Sequence, residues 1–220
     1  MNHEQSLADE FNKFAIECAE EAGFTINSFS LDGQDRDAGA DYVITNTDSF
    51  SLIEFKDTEK QFKSELKKSR RLNLCEKLEE TPKMEKLHDN CHFIAWADSF
   101  TGSVSTNIYR NEICNKTIFG ENAQLSCINA DPTTRMKAHE FTSEFISENS
   151  KNNLSLEQFE LYLSWLMKET SNSQSSTLEL VTRKPNVNEL NLIKLSSIRE
   201  AHDWLKAHKM KPKKKRKLKF

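Results

Sequence analysis

The 220-residue chain reads as an α/β protein with a mixed central sheet flanked by helices. Three stretches carry that reading. Leu7, Phe11, Phe14, Ala15, Cys18 and Ala22 recur at the spacing of one helical stripe. Two β-rich runs, Tyr42 to Thr45 and Phe50 to Phe55, flank the turn formers Asn46, Thr47, Asp48 and Ser49, which is the pattern of an antiparallel hairpin. Cys91 to Ala97, Cys-His-Phe-Ile-Ala-Trp-Ala, is a near-continuous apolar run of the kind expected of a central strand covered on both faces.

Taken in order, Ser6 with Asp9 makes a capping-box-like start to the first helix, and Gly23 ends it. Glu10, Glu17 and Glu21 lie along one edge of its apolar stripe. Phe24 to Leu31 alternates as a first strand, with Phe24, Ile26 and Phe29 inward, and Asp32 to Gly39 is a polar loop leading into the hairpin. Glu59 to Leu72 reads as a helical stretch with Phe62, Leu66 and Ser69 on one face, while Lys60, Lys63, Lys67, Lys68, Arg70 and Arg71 crowd much of the rest. Asn107 to Cys114 reads as a further strand.

Residues 131–208 are expected to form a mainly helical C-terminal lobe that covers or completes a core made by residues 1–130. Ser155 with Gln158 opens a helix whose Phe159, Tyr162, Leu163 and Leu166 share a face, and Thr170 to Ser176 is a polar linker. Thr177 to Val181 and Glu189 to Leu195 are strands around a Pro185 turn, and Ser197 with Glu200 caps a last helix through Leu205.

Charge is unevenly spread. The formal net charge is −3, yet residues 206–220 hold nine Lys and Arg and no acid, which leaves about −12 on residues 1–205. An acidic body argues against an extensive DNA-binding surface built on bulk charge, so phosphates would have to be met by locally placed cations. Residues 209–220 read as a disordered basic arm in which Lys213, Lys214, Lys215 and Arg216 either contact nucleic acid or act as a nuclear-localisation sequence. The chain has no apolar run of about 18 residues and no signal-peptide pattern, so a cytoplasmic protein is expected, or a nuclear one if the tail is an address. Five cysteines without a Cys-x-x-Cys imply reduced thiols, and His88, Cys91 and His92 are assigned no metal role.

The hairpin places acids where strands rarely carry them. If Asn46 pairs with Ser49, the register brings Asp41 opposite Glu54, and Lys56 projects from the same face as Glu54. Opposed like charges destabilise a sheet on their own, so a compensating hard cation such as Mg²⁺ is expected.

An acid at the start of one strand followed by Glu-x-Lys on the next resembles the PD-(D/E)xK nuclease superfamily, with Asp41, Glu54 and Lys56 at its three core positions and Ala40 where the family name has Pro. The resemblance covers about residues 6 to 100. It implies a restriction-endonuclease-like core and a Mg²⁺ ion, with Mn²⁺ substituting, held by Asp41, Glu54 and the carbonyl of Phe55. Lys56 stabilises charge on a phosphoryl oxygen or helps deprotonate the attacking water, and Glu10 from the first helix completes the site. The implied reaction is phosphodiester hydrolysis, of DNA in the first instance and RNA in the second. The cations following Lys56, among them Lys60, Lys63, Lys67 and Arg70, are placed to meet backbone phosphates.

The chain carries no P-loop, so a role in repair, restriction or phage defence calls for a separate ATPase or helicase subunit, or for a homo-oligomer. The rival reading is a catalytically inactive module of the same fold that binds nucleic acid or a partner protein.

Overall fold

The structure is a computed structural model that describes residues 3–31, 39–99, 101–170, 180–183 and 192–208. It is a mixed α/β arrangement in which helices cover both faces of one central sheet. Helix α1 (His3–Glu21) leads into β1 (Asn27–Ser30) and the hairpin of β2 (Tyr42–Thr45) and β3 (Ser49–Thr58). A 3-10 helix (Glu59–Lys67), α2 (Ser69–Glu80) and α3 (Pro82–Cys91) return the chain to β4 (His92–Ala97), which pairs parallel to β3. Then follow β5 (Val104–Ile108), the short helices α4 (Tyr109–Ile113) and α5 (Lys116–Phe119), a 3-10 turn (Pro132–Thr134), β6 (Met136–Lys137) and α6 (Ala138–Phe145). The chain continues through β7 (Leu154–Ser155), α7 (Leu156–Thr170), β8 (Leu180–Arg183), β9 (Leu192–Leu195) and α8 (Ile198–Ala207).

Among the described residues the strand order is β6-β5-β4-β3-β2-β1-β8-β9, with β7 also paired to β3. Among these pairs only β3–β4 is parallel, and the 3-10 helix, α2 and α3 make the crossover that this pairing needs. The alternation of each strand feeds two apolar layers. Ile44, Ile53, Phe55, Phe93 and Ala95 meet Ala8, Phe11, Ala15 and Ala19 of α1 and Phe141 and Phe145 of α6. Val43, Phe50, Leu52, Ile94 and Trp96 face α2, α3, α7 and α8. Residues beyond 131 thus supply strands to the same sheet and side chains to both layers.

Several expectations need correction. α1 already runs at His3, so Ser6 and Asp9 lie inside it, and its buried stripe is Ala8, Phe11, Ala15 and Ala19, while Phe14 is exposed. The small alanines let α1 sit close to the sheet and rotate the stripe away from Phe14. Phe24 is likewise exposed and precedes β1; Ile26 and Phe29 are buried in opposite layers.

The segment after the hairpin is helical as expected but in two parts, a 3-10 helix and the start of α2. Nine residues are 3-10, in which positions three apart eclipse, so Phe62 and Glu65 are buried and Leu66 is turned out. Asn107 to Cys114 divides into the end of β5 and α4. Cys75 and Cys114 form a disulfide where reduced thiols were expected; the spacing of single cysteines gives no sign of which two will meet.

Among the expected capping signals, Ser155 and Gln158 cap α7 reciprocally, and Ser197 Oγ accepts from the Glu200 N–H at the start of α8. The loop at residues 32–38, the linker beyond Thr170, the Pro185 turn and the basic arm at 209–220, with Lys213, Lys214, Lys215 and Arg216, lie outside the described residues.

Candidate functional site

The hairpin register places the site. β2 and β3 pair Tyr42 with Ile53 through Thr45 with Phe50, and Asn46 N–H donates to Ser49 O across the turn, so Asp41 falls opposite Glu54. One step below the ladder, Asp41 Oδ2 accepts from the Phe55 N–H at 2.7 Å, which fixes the carboxyl against the strand. Gly39, two residues earlier, is required twice over. Its φ is +72°, and a Cβ there would lie 2.8 Å from Arg71 Nη1 and 3.1 Å from His92 Cε1.

Glu54 and Lys56 are buried at the carboxyl end of β3, where the register with β4 shifts between Lys56 and Thr58. Lys56 Nζ donates to Glu54 Oε1 at 2.5 Å, to Phe55 O at 2.9 Å and to Glu4 Oε1 at 3.3 Å. An ammonium has three N–H groups, and all three are used. Glu65 Oε1 lies a further 3.3 Å from Lys56 and 2.9 Å from Lys68, while Glu65 Oε2 accepts from Arg71 Nε and from the Tyr109 hydroxyl. Arg71 is wholly buried. Two cations not read as site residues, Lys68 and Arg71, therefore join the cluster together with Glu65.

Glu4, not Glu10, stands with the hairpin acids. Oxygens of Glu4, Asp41 and Glu54 lie within 4.8 Å of one another. Glu10 is six residues on, about 120° round the helix, exposed and paired with Lys13. A signal existed in the sequence: Glu4 continues the buried spacing of Ala8, Phe11, Ala15 and Ala19 toward the N-terminus.

Burial, reinforced by the Glu54 carboxylate, pushes the Asp41 carboxyl up to about 8 against the pull of the Phe55 N–H and Lys56. Burial alone would lower the Lys56 ammonium, but Glu54 and Glu65 outweigh it and raise its pKa. Burial alone would raise Glu65, and Lys56, Arg71 and Lys68 together hold it below the usual carboxylate range. Four acids thus face three cations, and the site pushes Asp41 toward its neutral form.

Compared with family models, curated proteins and solved structures, the chain matches none of them. The chemistry of the cluster is therefore read from its own atoms.

Among the described residues, the buried Glu54 Oε2 accepts no hydrogen bond, and Arg71 Nη2 lies 3.9 Å from it. An unfilled buried acceptor is costly to leave so. The Glu54 carboxylate makes with Asp41 and Glu4 an all-oxygen set suited to a hard divalent cation. Phe55 O is turned to Lys56, so the side-chain oxygens are the stronger part of that set.

The remaining expected residues lie around this cluster. Lys60, Lys63 and Lys67 are exposed along the 3-10 helix and have no ion-pair partner among the described residues, and Arg70, half-buried, opens α2. His88 and His92 are core residues bonded to Tyr162 and are not turned toward the acids.

Proposed function

We propose that the chain is a metal-dependent nuclease with a restriction-endonuclease-like core, hydrolysing phosphodiester bonds, with DNA as the expected substrate. The observation that carries this reading is the Asp41–Glu54 pair, opposed across a hairpin, with oxygens of Glu4, Asp41 and Glu54 within 4.8 Å of one another and a buried lysine two residues on. Glu4, Asp41 and Glu54 would hold Mg²⁺ or Mn²⁺. Such an ion lowers the pKa of a bound water and neutralises charge on the scissile phosphate. Lys56 fixes Glu54 Oε1 beside its fellow acids, and it keeps a positive charge next to the reacting phosphate. Lys60, Lys63, Lys67 and Arg70 provide the local cations that an acidic body needs to receive a nucleic-acid backbone.

A second reading is a non-catalytic module of the same fold, and one observation favours it: all three Lys56 N–H groups already have acceptors. The test is cleavage of plasmid and of single-stranded DNA by purified protein in Mg²⁺, Mn²⁺ or EDTA, comparing wild type with Glu54→Gln. The nuclease reading expects metal-dependent cleavage that falls at least about 100-fold in the variant, the scale of losing one electrostatic group at a reacting centre. Cleavage that persists in EDTA or in the variant would assign the activity to something other than this cluster. DNA binding without cleavage would favour the module, whether it acts alone or beside an ATPase or helicase subunit.

A further inference from the structure

We propose that Lys68 is a catalytic residue of this centre, the cation that contacts a non-bridging oxygen of the scissile phosphate, while Lys56 serves to hold the acids. The inference rests on the nuclease reading and assigns within it a residue that the Glu-x-Lys pattern does not contain.

The argument is a count of donors and a measure of access. Lys56 is 3 % exposed at its side chain, and its three N–H groups are consumed by Glu54, Phe55 and Glu4. It has no N–H left for a substrate. Lys68 is 33 % exposed, and its Nζ meets Glu54 Oε1 at 3.0 Å and Glu65 Oε1 at 2.9 Å. Those two contacts leave one N–H on the open side. Both lysines share the same Glu54 oxygen, so Lys68 stands about as near the acid cluster as Lys56 does, yet from the solvent side.

Local structure puts it there. The chain changes from 3-10 to α at Lys68, whose backbone is extended (φ −100°, ψ 91°). Its N–H donates to Glu65 O and its carbonyl accepts from the Arg71 N–H, so the residue is bound on both sides of the break. The side chain then folds back over Glu65 instead of following the exposed row of Lys60 and Lys63. A charge-assisted N–H···O⁻ contact from this position adds both charge and orientation to the phosphate. Lys68 forms no covalent bond; the entering water oxygen replaces the leaving sugar oxygen on phosphorus.

The test measures binding and cleavage separately. A fluorescein-labelled single-stranded 20-mer and its duplex are titrated in Ca²⁺ by anisotropy over a range of salt, and cleavage is followed in Mg²⁺, for wild type, Lys68→Met, Lys68→Arg and the distal control Lys86→Met. Lys68→Met is expected to weaken binding about tenfold, to reduce the log–log salt slope by about 1 and to lower kcat further. Lys68→Arg restores affinity, and Lys86→Met matches wild type. Lys68→Met with unchanged affinity and salt slope would overturn the proposal, whatever its thermal stability.

Should Lys68→Met fail to fold, acetylation footprinting of wild type by mass spectrometry decides. Lys68 must become protected when the 20-mer is bound, while Lys86 does not, and an unprotected Lys68 would reject the contact. Wild type that binds the 20-mer but cuts nothing would refute the nuclease reading and leave the binding and footprint arms to decide Lys68. Wild type that neither binds nor cuts would refute both.

Discussion

Beneath the helices that cover β3 and β4 lie two sets of buried polar side chains, one neutral and one charged. In the neutral set, Arg110 N–H donates to His88 Nε2, and His92 Nε2 lies 2.8 Å from Gly39 O, an atom that can only accept. Burial lowers both imidazoles, His92 to about 4, so each carries one N–H. The direction of every bond follows: His88 Nδ1–H donates to the Tyr162 hydroxyl, which donates to His92 Nδ1. No ring nitrogen is left over. In the charged set, among the described residues, Glu54 Oε2 has no donor, Asp41 is pushed toward its neutral form, and Lys68, one-third exposed, meets two acids. The two sets touch at Gly39, whose carbonyl ends the first and whose missing Cβ makes room for Arg71 of the second. A core finished in every bond serves the fold, whereas unfilled valences kept at the end of a strand are what a ligand requires.

The sharpest way to break this contrast is at Glu65. Glu65→Ala leaves Arg71 buried without its hydrogen-bonded carboxylate and removes a neighbour of Lys56 and Lys68. The expected loss is about 3–5 kcal/mol in denaturant unfolding, the range for breaking a buried ion pair from one side. A loss under about 1 kcal/mol would show that the cluster is wetter than its geometry indicates.

Tyr162→Phe tests the neutral set. It strands two imidazole nitrogens and should cost about 1–3 kcal/mol, with no change in metal-dependent cleavage. The same set sets a pH limit. Because the folded imidazoles have pKa values below the unfolded value of 6.5, the unfolded chain binds more protons in acid. The stability this set contributes is therefore full above pH 6.5 and falls as pH drops from there toward 4, and Tyr162→Phe should alter that fall.

Asp41→Asn should act with the opposite sign. The folded carboxyl titrates near 8 against 3.8 in the unfolded chain, so the folded state binds the extra proton between these values and stability declines as pH rises through the window. The isosteric amide removes that decline. The variant is expected to melt higher than wild type at pH 8, to converge with it near pH 4, and to have lost cleavage. A variant less stable than wild type at pH 8 would mean that Asp41 is ionised and paired within the fold.

Much of this was legible in the chain, for reasons that can be named. Turn residues at 46–49 fixed the hairpin register, and period-two geometry then brought Asp41 to Glu54 without further information. The apolar run at 92–97 marked the centre of the sheet. Glu65 and Arg71 were hidden because charged residues in a basic stretch look solvated, and only the three-residue repeat of the 3-10 helix turns Glu65 inward behind Phe62. Glu4 was hidden because its stripe is made of alanines, which carry little hydrophobic signal yet pack closest to the sheet. The pairing of Cys75 with Cys114 depends on where α2 meets the end of α4, a tertiary fact.

The most direct test of the central claim is calorimetric titration of the wild-type protein with Mn²⁺ at pH 7.5 and 6.5, beside Glu54→Gln. An acid cluster built to hold a divalent cation should bind it with release of the Asp41 proton, about tenfold more weakly at the lower pH, and the variant should lose the site. Binding that is absent, or equal in wild type and variant, would contradict the account and leave Glu4, Asp41 and Glu54 as a structural cluster.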